Sequence, residues 1–454
     1  MPRTATDREG SLPRRRWRIA LLLGLGVMVN YVDRVNLSVS QAALHADFGI
    51  SVITFGYLSS AYNWTYALLQ LPVGVWLDRF GVRRVGRLSI LIWSLASFAA
   101  ALSGSVRAFF GARLLLGVGE APTFPANAKA IASWFPERER GLPTAIFDAS
   151  AKLAPAIGVP LLGVLVVRFG WRASFAATGV LSLLYFALFF LLYRDPSEDP
   201  GLTPTELRYI QGEAPPLDPQ RIPDPQRIPD PQKIPDQQQL PSPGSPALPT
   251  LLRQRKVLGM AVGMGAYNYS FYLLLAWLPS YLSVTHHVDL LHSALLTAIP
   301  WIFATAVDIV IGGWLVDRLI RRGFDANRVR RSVLIGGTAC GLGLVGAAYA
   351  HSTVSALVWI SLSLGGLSTA APVLWSVPGL IVDRGSVGRV GGIANFWGQV
   401  SAISAPILTG YTVAHTHSFA NAFYLAGLYL LLGIAAYVFL LGRLERAPAA
   451  PDLV

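Results

Sequence analysis

Eight ionisable side chains lie inside long apolar runs of the sequence, where each charge costs roughly 2.5–3.5 kcal/mol at mid-helix on insertion scales. Two of them stand side by side in "MVNYVDRVNLSV" (28–39). A carboxyl group can bind and release a proton, and a guanidinium can hold a carboxylate through two parallel hydrogen bonds. Four are acidic and four basic, which predicts charges that pair with one another or with a bound anion: Asp33, Arg34, Arg113, Glu120, Lys129, Asp148, Lys152 and Asp308.

The spacing of these residues predicts which of them share a helix face. Arg113 and Glu120 are seven residues apart, which is two helical turns, so both face one side of the fourth apolar segment. Asp148 and Lys152 are four residues apart on the fifth segment and can pair along it. Lys129, near the end of the fourth segment, is expected to extend its amine to the membrane surface.

Uncharged polar residues occur on two further apolar segments. Asn268 and Tyr269 lie on the seventh segment, and Asn395 and Gln399 share a face of the eleventh. Polar faces on the first, fourth, fifth, seventh and eleventh segments predict one site enclosed by five helices. Asp308, near the end of the eighth segment, is expected to act as a gate or as a structural group.

The composition indicates the elements that position these residues. Of the 454 residues, 53% are hydrophobic and 14% are charged, and the mean hydropathy is +0.48, whereas soluble domains carry about 25% charged residues. An all-α integral membrane protein with twelve transmembrane helices is predicted, because twelve apolar segments can each span ~30 Å of hydrocarbon. They begin near Trp17, Thr54, Arg84, Ala108, Gly141, Arg172, Lys256, Leu291, Arg330, Val354, Gly388 and Ser418.

The basic residues are concentrated on one side of the predicted helices. Thirty of the 37 Lys and Arg residues fall in loops and ends on one side, and three (Arg107, Arg168 and Arg172) fall on the other. This distribution predicts cytoplasmic N and C termini. The net charge of +12 then faces the lipid bilayer's anionic headgroups rather than nucleic acid. The excess of arginine over lysine is typical of GC-rich bacteria, so we expect a bacterial cytoplasmic membrane. We also expect the protein to be a monomer.

A polar linker divides the chain into two halves. Residues 218–241 hold a six-residue repeat, "DPQRIP" twice, then "DPQKIP" and "DQQQLP", whose prolines favour solvated polyproline II over helix. Just before it, Thr203, Pro204 and Glu206 form a capping box that predicts one short surface helix. The predicted organisation is a tail (1–16), a six-helix bundle (17–193), the linker (194–252), a second bundle (253–443) and a tail (444–454).

A loop motif occurs once in each half. "GVWLDRFGVRR" (74–84) follows the second apolar segment and "GWLVDRLIRRG" (313–323) follows the eighth. Duplicated loops in two sets of six helices predict pseudo-symmetric bundles around a central cavity. The motif residues are Gly74, Asp78, Arg79, Arg83, Arg84, Gly313, Asp317 and Arg318.

On these motifs the chain resembles the major facilitator superfamily over nearly its whole length. The resemblance implies the twelve-helix facilitator fold and transport by alternating access. It also implies that Asp78 contacts the opposite bundle in the outward-facing state, and that Arg83 and Arg84 hold the loop in place.

One stretch is more specific. "RLLLGVGEAPTFPANAKAIASWFPERERG" (113–141) resembles the anion:cation symporters, which include D-galactonate, glucarate and hexuronate transporters, and "NYVDRVNLS" (30–38) matches the same branch. By this resemblance Asp33 and Glu120 bind protons, Arg34 supports them, and Arg113 and Asn395 contribute to substrate binding or coupling. The implied function is proton-coupled import of a small organic anion such as a sugar acid.

One position departs from that branch. Galactonate-type members carry a glutamine on the fifth helix that contacts sugar hydroxyls, and Ala151 occupies this position here. Its neighbour Lys152 offers a second cation for a substrate carboxylate, which suits a diacid or a smaller acid. The candidate substrate-binding residues are therefore Arg34, Arg113, Asp148, Lys152, Asn268, Tyr269, Asn395 and Gln399.

Other functions stay open from the sequence alone. One is a superfamily exporter or drug antiporter, and another is a uniporter or exchanger without proton coupling. A third class comprises a receptor that binds without transport and a membrane enzyme. The sequence contains neither "HExxH" metal spacing nor a Gly-x-Ser-x-Gly elbow, so we expect no enzyme, no metal and no cofactor besides the coupling proton.

Overall fold

The computed structural model describes residues 15–136, 139–210, 248–382 and 386–445. Within these ranges every regular element is helical and no β-strand occurs. The predicted proline repeats and most of both predicted tails lie outside the described residues.

The first half is built from long helices whose bounds follow the predicted apolar segments. α3 and α6 each contain two membrane helices that meet at a glycine, Gly81 (φ 76°) and Gly170 (φ 82°), in a conformation that glycine adopts without strain. We refer to their parts as α3a (52–80), α3b (82–101), α6a (141–169) and α6b (171–192). The elements are α1 Arg15–Val39, α2 Gln41–Phe48, α3 Val52–Ala101, α4 Val106–Glu120, α5 Thr123–Trp134 and α6 Gly141–Leu192.

The second half repeats this plan after two short helices at the linker, α7 Pro204–Ile210 and α8 Leu248–Arg253. Two π-helical stretches occur in it: Asp308–Leu315 joins α10 to α11, and Ala436–Leu441 extends α16. The α-helices are α9 Arg255–Thr285, α10 Leu290–Val307, α11 Val316–Arg321, α12 Ala326–Gly341, α13 Gly343–Ala348, α14 Thr353–Ile381, α15 Val387–Thr416 and α16 Ala420–Ala435.

Counting each nearly continuous rod once, the described residues form twelve membrane helices in two sets of six, which confirms the predicted fold class. α4 and α5 make one rod with a break at residues 121–122, and α12 and α13 make another. By length and apolar composition alone, seven stretches of the described chain qualify as membrane spans. α4 and α5, of 15 and 12 residues, are each too short to qualify by themselves.

Contacts between loops define two ends of the helix bundles. At one end, Arg15 binds Asp199 at 2.8 Å, and Lys256 donates to the backbone carbonyl of Glu445 at 2.5 Å. We call this the terminal end, because the described chain begins and ends there. At the opposite, distal end, Asp47 accepts hydrogen bonds from Trp171 and Arg172 at the start of α6b.

The two bundles meet along α1 and α9, along α3a and α15, and along α6a and α10. At the distal end this contact is close: a Cβ on Gly56 would lie 2.6 Å from the carbonyl oxygen of Pro406, and one on Gly163 would lie 2.6 Å from the Cβ of Ala294. Towards the terminal end, a Cβ on Gly74 would meet no heavy atom within 4 Å. The bundles are therefore closed against each other at the distal end.

The helix at the capping box is anchored to the first bundle. Thr203 Oγ1 accepts a hydrogen bond from the amide of Glu206 at 3.2 Å, as an N-cap does. The Glu206 carboxylate does not complete the capping box by accepting from the amide of Thr203. It is instead fully buried against the Arg16 guanidinium at 3.2 Å. α7 is thus fixed to the start of α1 by a buried ion pair.

Candidate functional site

A buried ion pair joins α1 to α4 in the first bundle. Arg34 Nε lies 2.7 Å from Glu120 Oε2, and their side chains are 2% and 0% exposed. The resemblance implies that Arg34 supports both Asp33 and Glu120, and in this structure its ion pair is with Glu120. Consecutive residues of a helix point about 100° apart, so the side chains of Asp33 and Arg34 face different helices.

Asp33 points into the interior of the first bundle. Its two carboxylate oxygens accept hydrogen bonds from Ser97 on α3b and from Ser182 on α6b, both at 2.8 Å. A small cavity of about 10 Å³ lies beside it and is also lined by Arg113. The proton-binding candidate therefore shares a cavity with the anion-binding candidate.

Arg113 is the central cation of the site. The residue is 1% exposed, and its Nε and Nη1 atoms have no hydrogen-bond partner. Its guanidinium carbon lies 5.1 Å from the ring centre of Tyr62, which gives cation–π contact only. A buried charge without a polar partner costs several kcal/mol, and an anion bound beside Arg113 would offset that cost.

A second cavity, of about 20 Å³, lies where the two bundles meet. Arg34 crosses this boundary, since its Nη1 donates to the hydroxyl of Tyr272 on α9 at 3.3 Å. Ser59 Oγ, Tyr62 Oη and one nitrogen of Arg34 have no hydrogen-bond partner there. The cavity therefore offers both positive charge and free hydroxyls; its polar lining residues are Arg34, Ser38, Ser59, Tyr62, Arg113 and Tyr272.

Three tyrosine rings lie near the Arg34 guanidinium. The guanidinium carbon lies 4.6 Å from the ring centre of Tyr31, 5.0 Å from that of Tyr62 and 5.4 Å from that of Tyr66. The sequence analysis missed these rings. The signal was present in "YNWTYALLQ" (62–70), where Tyr62 and Tyr66 are four residues apart on one helix face.

The second charged cluster links the two bundles. Lys152 on α6a pairs with Asp148 at 2.7 Å, as its spacing predicts, and also with Asp308 at 2.9 Å. Asp308 belongs to the second bundle and begins the π-helical turn that follows α10. Lys152 is therefore held by two carboxylates in this conformation, and is not the free second cation that the sequence analysis considers.

The amide candidates lie outside the cavity where the two bundles meet. Asn395 donates to Gln70 across the bundles at 3.4 Å, and Asn268 donates to the backbone of Met264 at 3.0 Å. Gln399 is buried, and its Oε1 atom has no partner. These residues surround the interface between α3a, α9 and α15 on the terminal side of the cavity.

Tyr269 is not brought to the cavity, and Tyr272 occupies the place expected for it. The ring of Tyr269 packs against Tyr429 on α16 at 5.6 Å between ring centres. Tyr272 and Ala276 follow Asn268 by four and eight residues and so share its face of α9. Tyr269 is one residue, or about 100°, away from that face.

The first loop motif is folded onto its own bundle. Asp78 pairs with Lys129 at 2.5 Å, and Arg83 pairs with Glu198 at 2.6 Å. Asp78 has an 80% exposed side chain, so the contact with the opposite bundle that the resemblance implies is not made here. That contact belongs to the outward-facing state, whereas the distal ends are closed in this structure.

The remaining motif residues make local contacts only, among the described residues. Arg84 is exposed, and the Arg79 guanidinium lies over the ring of its neighbour Phe80 at 5.4 Å. In the second copy Asp317 is exposed, and Arg318 lies over Trp314 at 4.7 Å. A Cβ on Gly313 would meet only the carbonyl oxygen of Asp308, at 3.9 Å. Neither motif joins the two bundles at the terminal end.

Comparison with known proteins agrees with this arrangement. The family model described as Major Facilitator Superfamily matches residues 23–406. A Bacillus subtilis (strain 168) protein described as the uncharacterized transporter YybO is 37% identical over 432 residues, which cover 95% of each chain. The probable galactarate/D-glucarate transporter GarP of Escherichia coli (strain K12) is 31% identical over 448 residues, which cover 95% of this chain and 96% of that protein.

The fold itself matches a solved transporter structure. A bacterial homolog of the human lysosomal transporter Spinster, in an inward-facing and occupied conformation, is similar with a TM-score of 0.71 and 16% identity. The match covers 97% of this chain and 100% of that one. At this identity the comparison shows the fold alone.

Proposed function

This chain belongs to the major facilitator superfamily and is a membrane transporter, not an enzyme, and from that premise we propose that it is a proton-coupled symporter for an organic anion. The substrate is a sugar acid (a hexonate, hexarate or hexuronate) or another small carboxylate. Import follows alternating access of the two bundles. The coupling ion is the proton, and no further cofactor takes part.

The unpartnered Arg113 guanidinium carries this proposal. Its Nε and Nη1 atoms are buried without hydrogen-bond partners, so both can donate to a carboxylate, and hydrogen bonds between charged groups are stronger than those between neutral ones. A buried positive charge at this position would repel the cationic substrate of a drug antiporter. The site therefore favours an anionic substrate over a cationic one.

The hydroxyl groups of the cavity support a polyhydroxylated acid. Ser59 and Tyr62 have buried oxygens without partners, and the hydroxyl of Tyr272 holds only a 3.3 Å contact with Arg34. Such groups select substrates that carry hydroxyls, because an apolar substrate would leave them unpaired. The name of the relative GarP, a probable galactarate/D-glucarate transporter, is consistent with this class.

Glu120 and Asp33 are the proposed proton carriers. When Glu120 is ionised it holds Arg34 at 2.7 Å, and when it is protonated the arginine is released towards the cavity. Asp33 lines the smaller cavity together with Arg113. Protonation of its carboxylate changes the charge of that cavity. Each proton contributes ~1.4 kcal/mol per pH unit and ~2.3 kcal/mol per 100 mV to uphill movement of the anion.

The proposed orientation follows from the basic residues. The terminal end of the bundles carries most of the 37 Lys and Arg residues, so it faces the cytoplasm by the positive-inside rule. We place the protein in a bacterial cytoplasmic membrane as a monomer. The distal end, where the bundles are closed, then faces outward.

Uptake into proteoliposomes tests this function. A panel of radiolabelled sugar acids is offered with a pH gradient that is acidic outside, with and without an uncoupler. We expect accumulation above the external concentration that the uncoupler abolishes. Equal uptake with and without the uncoupler would indicate a uniporter, and proton-driven movement in the opposite direction would indicate an exporter.

A further inference from the structure

The two proposed proton carriers are held by different kinds of group. Glu120 is paired with a cation, since its Oε2 atom lies 2.7 Å from Arg34 Nε. Asp33 is held by neutral hydroxyls, because Ser97 and Ser182 each donate to one of its carboxylate oxygens at 2.8 Å. A hydroxyl both donates and accepts, so it can bond a carboxylate or a protonated carboxyl group.

The Ser97 hydroxyl has two acceptors within reach. Its Oγ atom lies 2.8 Å from Asp33 Oδ1 and 3.2 Å from the backbone carbonyl oxygen of Trp93, one turn earlier on α3b. A hydroxyl carries one proton, so it donates to one of these oxygens at a time, and its lone pairs remain free to accept. Ser97 can therefore turn from Asp33 to Trp93 without losing a hydrogen bond.

The Ser182 hydroxyl has one acceptor in the described part of the chain, which is Asp33 Oδ2. Ser182 is fully buried, so a lost hydrogen bond there is not replaced by water. A proton on Oδ2 would direct the new O–H group towards Ser182 and leave the Ser182 proton without an acceptor, which is costly in the interior. A proton on Oδ1 has no such cost.

Resting on the proposed function, we propose that Asp33 carries its proton on Oδ1, and that Ser97 and Ser182 are the positioning residues that place it there. In the ionised state both hydroxyls donate to the carboxylate. When a proton from solution binds Oδ1, the new O–H group donates to Ser97 Oγ and Ser97 donates to Trp93. Ser182 keeps its bond to Oδ2, so each of these polar groups has a partner in both states.

The charged groups that face Asp33 belong to α4. Seven acidic or basic side chains lie in the membrane-spanning middle, because Lys129 lies at the terminal end with Asp78. Of these seven, Arg113 lines the cavity beside Asp33, and Glu120 is close enough to interact with it electrostatically. Replacing a serine leaves both charges in place, so a changed titration of Asp33 reports the lost hydroxyl.

Helices α3b and α6b present hydroxyl groups to Asp33. Besides the two serines, Thr178 on α6b faces it, but the Thr178 hydroxyl accepts from Asn36 at 3.4 Å and donates to the carbonyl oxygen of Phe175 at 3.1 Å. The titratable hydroxyl of Tyr185, one turn after Ser182, lies against Gly26 of α1 instead. Ser97 and Ser182 are therefore the hydroxyls that respond to the proton.

Ser94 is the matched control for Ser97. It lies one turn earlier on α3b and is equally buried, and its Oγ atom donates to the backbone carbonyl oxygen of Ile90 at 2.7 Å. Ser94→Ala removes the kind of backbone bond that Ser97 makes to Trp93, but no bond to Asp33. Ser97→Thr keeps the hydroxyl and serves as the conservative variant.

Infrared titration of the carboxyl group tests the assignment without substrate. Difference spectra of the full-length protein in liposomes are recorded over a pH series, and the carboxyl C=O band that Asp33→Asn removes is assigned to Asp33. Ser97→Ala should raise the pH of half-protonation by about one unit, because a hydrogen bond to a charged acceptor is stronger than one to a neutral group. Ser97→Thr should restore the wild-type value, and Ser94→Ala should leave it unchanged.

The frequency of the same band locates the proton. With the proton on Oδ1, the C=O group is the one that Ser182 bonds. Ser182→Ala should therefore move the band to higher frequency, and further than Ser97→Ala does. An equal or reversed effect would overturn the placement on Oδ1, and a wild-type titration in Ser97→Ala would overturn the role of Ser97. The Ser182 arm decides the placement even if a Ser97 variant does not fold.

Failure of this inference and failure of the proposed function give different results. If Asp33→Asn removes no band, Asp33 does not titrate, and the inference falls while Glu120 stands as the proton carrier. If no acid is accumulated in the uptake assay, the proposed function fails, whereas the infrared titration does not depend on transport.

Discussion

The two bundles share one fold but divide the chemistry unequally. Within the described residues, six of the seven ionisable side chains in the membrane-spanning middle belong to the first bundle, and only Asp308 belongs to the second. The second bundle contributes uncharged groups instead, such as Tyr272, Asn268 and Asn395. The charged side chains are therefore concentrated in the first bundle, and the second bundle supplies a mostly uncharged surface that packs against them. Polar contacts that cross between them include Arg34 to Tyr272, Lys152 to Asp308 and Asn63 to the backbone of Ala402.

Replacing Arg113 tests this unequal distribution of charge most directly. Arg113→Ala removes the unpaired cation of the first bundle, and the substrate carboxylate would then be buried without a partner. We expect binding to weaken at least about a hundredfold, since a broken buried pair costs about 3–5 kcal/mol. Arg113→Lys should recover part of the affinity, because a point charge cannot donate two parallel bonds.

Arg107 provides the control for that measurement. It lies on the same helix, α4, but is exposed at the distal end, so Arg107→Ala should leave affinity unchanged. Isothermal titration with the transported acid measures all three variants. Wild-type affinity in Arg113→Ala would remove this residue from the site.

The Arg34–Glu120 pair tests whether the first bundle depends on internal charge balance. Arg34→Met leaves the Glu120 carboxylate buried and unpaired, which should cost about 3–5 kcal/mol of stability. The double variant Arg34→Met, Glu120→Gln should recover most of this loss, because no charge then remains unpaired. Thermal unfolding in detergent measures both, and additive losses in the double variant would contradict the pairing.

The sequence predicts the helices well because hydropathy and helix length are local properties. All twelve predicted starts lie within about four residues of those in the structure. It also predicts that Asp148 and Lys152 can pair, since a spacing of four residues determines their approach. The sequence does not predict which neighbouring helix each of two adjacent side chains contacts. Asp33 and Arg34, for example, lie on different sides of α1.

Contacts between distant segments were also beyond the sequence. Asp308 is 156 residues from Lys152, and no spacing rule connects residues on different helices. The sequence analysis names Tyr269 instead of Tyr272. It does not specify the rotation of α9, which depends on how the helix packs against α15 and α16. The contact of Asp78 with the opposite bundle depends on the conformational state. The sequence does not specify that state, because it is the same throughout the transport cycle.

The two ends of the bundles offer a smaller test of the same comparison. Gly56 lies against the backbone of Pro406 at the closed distal end, whereas Gly74 is free of such contact. Gly56→Leu should therefore open the distal end, and Gly74→Leu should not. Labelling of Ser59→Cys by a membrane-impermeant thiol reagent, in a Cys340→Ser background, should rise several-fold only in Gly56→Leu. Equal labelling of both variants would show that the closed distal end does not depend on Gly56.

The smallest effect concerns the distal loops. Asp47 Oδ2 accepts from Trp171 Nε1 at 2.8 Å and from Arg172 Nη1 at 2.6 Å. These hydrogen bonds, that of Trp171 first, lower the pKa of Asp47 below its ordinary value of 3.8. A lowered pKa in the folded state gives stability that is present above the unfolded value and is lost as pH falls through the folded value.

Asp47→Asn should thus lower the thermal midpoint slightly at neutral pH. The difference from the wild-type protein should shrink as the pH is taken below 3.8, because protonation removes the same charge. Thermal unfolding across a pH series measures this. A difference that persists unchanged at the acid end would assign the effect to lost geometry rather than to charge.

The role of Glu120 as a proton carrier is tested most directly on one preparation of Glu120→Gln proteoliposomes. Glutamine mimics only the protonated carboxyl group, so the variant cannot change charge during the cycle. Counterflow exchange of internal for external substrate does not require deprotonation, whereas net accumulation driven by a proton gradient does. We predict counterflow without accumulation. Normal uphill accumulation by Glu120→Gln would contradict the account and leave Asp33 or Asp308 to carry the proton.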